Sequence, residues 1–279
     1  MNIKTALQQL TTWFEEYAKG FSSDDPFVQE NIDLKKHHTL RVRNLVMDIG
    51  QSISLDEDNM CVAEACAILH DIGRFEQYRK YGTFSDAKSV NHAALGVRII
   101  RELEVLKNFP SSAREIIIRS VGCHNMSCIP GKNNRDRILF LKLVRDADKI
   151  DILFVVTEYY QNSASGSNRV LELHFPDIDI ISDTVFEPLV KENIAFLRDL
   201  RSLNDFKLYQ MGWVYDLNFP RSFEIIKERR YLEMIRNALP ESSKKAEAVY
   251  QAAKTFLEKK IKYSENILRI SAVDTIQSN

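Results

Sequence analysis

Leu69-His70-Asp71-Ile72-Gly73-Arg74 is the stretch on which the reading of this 279-residue chain turns. An adjacent His-Asp pair offers a divalent ion one borderline nitrogen donor and one hard oxygen donor. The run before it, Met60 to Leu69, is mostly apolar and free of glycine and proline, and Val62, Cys66 and Leu69 recur in it at helical spacing. His70 and Asp71 are therefore expected at or near a helix C-terminus, with Gly73 stopping the helix or permitting a tight turn. Taken alone, the dipeptide reads more simply as a packed histidine beside a solvated aspartate, because two adjacent residues constrain very little.

Working outward, the chain supplies partners. His38 lies upstream, followed by Thr39-Leu40-Arg41-Val42, and Asp148 lies downstream within Arg145-Asp146-Ala147-Asp148-Lys149-Ile150-Asp151. Between them fall His92, in Asn91-His92-Ala93-Ala94-Leu95-Gly96, and His124, in Cys123-His124-Asn125. The order His, His-Asp, Asp resembles the HD superfamily of metal-dependent phosphohydrolases, from roughly Asp33 to Asp151. The resemblance implies that His38, His70, Asp71 and Asp148 are the four ligands of a primary metal. It also implies that His92 and His124 match the extra histidines of members that hold a second one. Arg74 stands where the cyclic-dinucleotide phosphodiesterase branch of the superfamily has lysine. No Gly-Tyr-Pro segment follows Cys123-His124, and Cys123 replaces one histidine of that branch's usual pair, so its activity is not expected here.

The composition narrows the classes further. Lys plus Arg is 38 against 39 for Asp plus Glu, a net charge of -1, so neither a general nucleic-acid binder nor an acidic-membrane binder is expected. Cys61/Cys66 and Cys123/Cys128 are each five residues apart, wider than common zinc-site spacing, and four cysteines do not read as a disulfide scaffold. The N-terminus shows no apolar signal segment, and no apolar run approaches the roughly 18 residues of a membrane span. The expectation is a soluble protein of a reducing cytoplasm, with homo-oligomerisation left open. Strand signals are few, so the fold class is all-α: an HD-type helical bundle with additional C-terminal helices. It is read as a single domain over residues 1-279, with the metal-binding core at about 28-160 and a helical extension at about 183-265.

In chain order, Ile3 to Tyr17 reads as an amphipathic helix. Asp33 to Ile49 carries Leu34, His38, Val42, Leu45 and Ile49 on one face, which buries His38 and turns His37 outward. Asp56 to His70 follows, capped at Ser54 or Asp56. Phe75 to Ser89 is expected to be a loop or irregular segment, Asn91 to Leu106 and Ala113 to Val121 helical, and Ser127 to Asn134 a loop. Arg135 to Tyr160 is a long apolar helix interrupted by Asp146, Asp148 and Asp151. Acids on the inner side of such a helix are expensive to bury unless paired or metal-bound. Gln161 to Arg169 reads as a loop, Leu171 to Ile181 as extended or irregular cover, Phe186 to Leu200 as helix, and Leu203 to Pro220 as an aromatic-rich connection. Ser222 to Ala238 and Ser242 to Tyr263 read as closing helices.

Mixed nitrogen and oxygen ligation suits Mn, Fe, Co, Ni or Zn better than Mg. One ion is expected, with His92 and His124 offering a second place bridged by Asp71; hydrogen bonding of these two histidines to a phosphate is the alternative. The residues expected to carry chemistry are Asp71, which can ligate and orient water, together with Arg74, His92 and His124. Asp146 is the rival of Asp148, and Asp146 and Asp151 are candidate acceptors that orient a ligand histidine. The function expected is divalent-metal-dependent hydrolysis of a small phosphoester, with a nucleotide as the leading substrate class. A non-catalytic nucleotide or metal sensor is the alternative.

Overall fold

The computed structural model describes the backbone of residues 2-129, 135-162 and 171-277 and the side chains of 2-129, 138-162 and 171-266. Among the described residues every regular element is helical, as the scarcity of strand signals leads one to expect. The chain forms two compact units, Met1–Asp151 and Ile152–Asn279.

The first unit contains α1 (Ile3–Lys19), α2 (Pro26–Ser52), α3 (Glu57–Leu69), α4 (Gly73–Tyr81), α5 (His92–Glu102), α6 (Ser111–Cys123) and the first part of α7 (Arg135–Gln161). At its centre is α3, in which every residue from Cys61 to Leu69 is buried. A helix apolar on all sides belongs inside a bundle, and α3 packs on α1, α2 and α6. Glu64 is the one charged side chain in that run, and Arg43 of α2 pairs with it at 2.7 Å. Asp56 caps the helix by accepting from the Asn59 amide. Ser54, the other candidate, sits at φ 55° and is not the cap. In α2 the expected stripe is buried at His38, Val42, Leu45 and Ile49, while His37 is exposed.

Two expectations around the His-Asp pair need correction. Residues 75-81 are helical, not irregular: α4 begins at Gly73, directly after the His-Asp pair. Gly73 therefore opens a helix rather than closing one. A Cβ built on it would stand 2.2 Å from the His92 carbonyl oxygen and 2.8 Å from the Gly96 amide nitrogen of α5. The glycine is needed because two backbones meet there, not because the chain turns.

The second unit contains α8 (Asp183–Val190), α9 (Leu203–Met211), α10 (Pro220–Glu228), α11 (Tyr231–Asn237) and α12 (Lys244–Gln277), with α12 packed on the other four. Four boundaries differ from expectation, one being the closing helix expected over 242-263, which runs from Lys244 to Gln277. The helix expected over 186-200 starts at Asp183 and ends at Val190, so Pro188 lies inside it. The connection expected at 203-220 is largely helical, through α9 and a 3₁₀ turn at Gly212–Asp216. The helix expected over 222-238 breaks into α10 and α11 at Arg230, whose φ of 57° is incompatible with a continuous right-handed helix. The expected loops at Ser127-Asn134 and Gln161-Arg169 lie mostly outside the described residues.

Gly73→Ala forces backbone against backbone at the α4–α5 contact. We expect a loss of stability of about 3 kcal/mol, the upper part of the range for overpacking. Denaturant unfolding checks this, and a variant within about 0.5 kcal/mol of wild type contradicts the close-approach account.

Candidate metal centre

Four histidines converge in the first unit, and each is delivered by a different helix. His38 lies on the buried face of α2, and His92 is the first residue of α5. His70 and His124 occupy equivalent places, directly after the last residues of α3 and α6. A helix end leaves carbonyls without intrahelical partners. His70 Nδ1 bonds the Ala67 carbonyl at 2.7 Å, and His124 Nδ1 bonds the Val121 carbonyl at 2.8 Å. The other two histidines are held by carboxylates. His38 Nδ1 is 2.7 Å from Asp151 Oδ2, and His92 Nδ1 is 2.8 Å from both oxygens of Asp86. Every Nδ1 thus has an acceptor, which places its proton there and leaves the Nε2 lone pair as the ligating position.

The Nε2 atoms then face one another in pairs. His38 Nε2 lies 3.2 Å from His70 Nε2, and His92 Nε2 lies 3.0 Å from His124 Nε2. Two lone pairs directed at each other repel. Two nitrogens sharing one ion at about 2.1 Å stand about 3.0 to 3.4 Å apart for angles between right-angled and tetrahedral. The pairs have the spacing of neighbouring ligands.

Asp71 stands between the pairs. Its Oδ2 is 3.5 Å from His38 Nε2 and 3.9 Å from His70 Nε2. Its Oδ1 is 3.3 Å from His92 Nε2 and 3.6 Å from His124 Nε2. Two candidate metal-holding triads result, His38-His70-Asp71 and Asp71-His92-His124. Asp148 joins the first, with Oδ1 3.2 Å from His38 Nε2 and 3.8 Å from His70 Nε2. Asp146 is fully buried two residues earlier on α7, where its side chain leaves the helix in another direction. Asp151, expected as a possible histidine acceptor, holds His38 and is itself clamped by Arg41 at 2.6 and 3.0 Å.

The electrostatics favour ligation at His70 and His92, whereas at His38 burial and the Lys35 charge are outweighed by the hydrogen bonds to Asp148 and Asp151, which raise it. Burial pushes His70 down to about 4 and, with the Arg74 charge beside it, pushes His92 down to about 4, so both are neutral donors near neutrality. Burial works to raise Asp71, but Lys35, the His70 ring and Arg74 together hold it well below the usual carboxylate range. Asp148 is lowered in the same way, its burial outweighed by the hydrogen bond to His38 and the His70 charge. For Asp86, burial is outweighed by the hydrogen bond and charge of His92 and by Arg74, bringing it to about 2.

Several contacts of the site escape a sequence reading. Asp86 lies in a segment expected to be irregular, yet it accepts from His92, Arg74 Nη1 at 3.0 Å, Gln77 at 2.9 Å and Asn125 at 3.1 Å. Arg74, expected as a phosphate contact, also donates through Nη1 to Gln77 at 2.8 Å and to the Phe84 carbonyl, and its Nε is 3.4 Å from Asp71 Oδ1. Arg145 is buried and donates to the His124 carbonyl at 2.9 Å and to the Met126 carbonyl, bracing the end of α6. Lys35 bonds Asp71 Oδ2 at 2.9 Å. Of the two residues that the sequence reading did not single out, Asp86 and Lys35, Lys35 carried a readable signal, since it precedes His38 by one helical turn and shares its face.

Residues 36-153 match the family model described as the HD domain. No curated protein and no solved structure matches the chain. The segment is an HD domain of the metal-dependent phosphohydrolase superfamily, and its two candidate metal-holding triads accord with metal-dependent phosphoester hydrolysis. No described helix is long and apolar enough to cross a membrane.

Ligation by the folded state alone stabilises it by mass action, about 2.7 kcal/mol at a hundredfold excess over Kd. Mn, Co, Ni or Zn added to chelator-treated protein should therefore raise Tm by several degrees, and EDTA should reverse the shift. A melting curve indifferent to all four ions counts against the metal centre.

Proposed function

We propose that the HD domain at residues 36-153 hydrolyses a phosphoester bond in a small phosphorylated molecule, with a nucleotide as the substrate class. The single observation that carries the reading is the pair of facing Nε2 couples, 3.2 and 3.0 Å apart, on either side of one buried aspartate. In this reading His38, His70, Asp71 and Asp148 hold one divalent ion. His92, His124 and the other oxygen of Asp71 hold a second. Nitrogen donors from four imidazoles favour Mn, Fe, Co, Ni or Zn over Mg. Bound ions would supply Lewis-acid stabilisation of charge on the phosphoryl group and a nucleophile at neutral pH.

The protein's own residues set the geometry. Asp71 presents one oxygen to each triad and orients the attacking water between them. Asp151 and Asp86 keep the His38 and His92 rings aimed inward. Arg74 links Asp71 to Asp86 across the second triad, so both carboxylates keep their orientation when an anionic substrate approaches. We place the reaction in a reducing cytoplasm, in keeping with the free thiols of Cys61, Cys66, Cys123 and Cys128.

A panel of nucleotides and simple phosphoesters, assayed with Mn, Co, Ni and Mg, tests the proposal. Turnover is expected with a transition ion. Tight binding without turnover would establish a sensor instead, and neither would remove both readings. On the substrate found, Asp71→Asn should lower kcat by about 100-fold or more, since it removes both charge and basicity.

A separate outcome is expected for the double variant His92→Ala/His124→Ala. Elemental analysis should show one ion lost and one retained. Unchanged metal content with reduced turnover would make the two histidines substrate contacts.

A further inference from the structure

Lys35 is the cation whose position the site's internal bonding leaves unexplained. It lies on α2 one turn before His38, and its Nζ is 2.9 Å from Asp71 Oδ2, the oxygen that faces His38 and His70. Its side chain is 14 % exposed, so Lys35 is partly open to solvent. An ammonium carries three N–H donors. Among the described residues, Asp71 is the acceptor Lys35 meets, and the face of the Phe84 ring, 5.1 Å from Nζ, is its other neighbour. Arg74 makes the contrast: its Nη1 donates to Gln77, Asp86 and the Phe84 carbonyl, so that part of its guanidinium is committed to the wall of the site.

We propose that Lys35 is a substrate-binding residue, gripping a non-bridging oxygen of the phosphoryl group while one of its donors stays on Asp71. The inference rests on the phosphohydrolase reading above and adds to it the residue that recognises the phosphate. Three arguments converge. A carboxylate oxygen has lone pairs enough to accept Lys35 and still serve an ion, so the Asp71 contact need not break. The remaining donors of a point-charge ammonium match a tetrahedral oxyanion without demanding one fixed orientation. The Phe84 face, attractive to the cation through its quadrupole, holds it without using a donor.

The test uses the intact protein loaded with Mn or Co and inorganic phosphate as the probe, with affinity measured by calorimetry and ion content by elemental analysis. For Lys35→Met we expect unchanged ion content and phosphate binding weakened at least tenfold. For Lys35→Arg, which keeps the charge, we expect recovery of most of that loss. On a hydrolysed substrate the Met variant should show a raised KM beyond any change in kcat. Phosphate affinity within twofold of wild type in Lys35→Met, at full ion content, overturns the proposal and leaves the hydrolase reading standing. A fall in ion content that parallels the fall in phosphate affinity also overturns it, because Lys35 would then serve Asp71 alone. Wild-type protein that takes up its ions but binds no phosphate rejects Lys35 as a phosphate grip. Wild-type protein that takes up no ion defeats the underlying reading itself.

Discussion

The buried charge of Asp71 is the constraint on which the rest of this centre depends. An isolated carboxylate taken out of water costs several kcal/mol even after relaxation, so it survives in a bundle only where opposite charge and donors surround it. Asp71 is 3 % exposed and is met by Lys35 from α2, Arg74 from α4 and the inward nitrogens of four histidines. Lys35 and His38 come from α2, and each of the others comes from a different element. The helices of the first unit therefore have to assemble around one residue, and the packing that buries α3 is the same packing that brings a complete set of donors to its end.

The histidines reach that residue by two devices, used once in each pair. One histidine of each pair lies just past a helix end and fixes its ring on a carbonyl three residues back, Ala67 for His70 and Val121 for His124. Such carbonyls are free because no further turn of helix claims them. The other histidine borrows a carboxylate, Asp151 or Asp86, and each carboxylate is steadied by an arginine, Arg41 or Arg74. The first and second members of each pair are 32 residues apart along the chain in both cases. The difference lies in the residue that follows the terminal histidine. Asp71 follows His70, whereas Asn125 follows His124 and spends its amide on Asp86 and Asn91. Negative charge is consequently heavier around the first pair, where Asp148 also stands.

What was legible in the sequence was what periodicity and ordered spacing encode. The stripe on α2 buried His38, and the apolar run before His70 set that pair at a helix end. The resemblance carried by the ordered motif implied a shared site for His92, His124 and Asp148, and their convergence is visible only in the fold. What stayed hidden depends on contacts that follow no period. Asp86 precedes His92 by six residues through a 3₁₀ turn, a geometry that no helical or strand spacing announces. The α4 helix was hidden because its glycine start imitates a stop, and its polar residues, among them Glu76, Gln77, Arg79 and Lys80, blur any apolar stripe. In the second unit, Arg230 breaks a continuous helical pattern through a backbone angle that an arginine rarely adopts, and tertiary packing prevailed over local propensity there.

Gly73 gives the centre a gauge. Side chains swing by rotation about single bonds, and a site spaced by side chains alone would widen and narrow with them. Here the strand of backbone that carries Asp71 abuts the strand of backbone that carries His92, with no room between them for a methyl group. Two main chains already in contact cannot draw nearer, and the packing of α4 on α5 resists their parting. The interval between the two triads is accordingly written into peptide geometry. The residue with no side chain sets how closely the Asp71 and His92 backbones can stand.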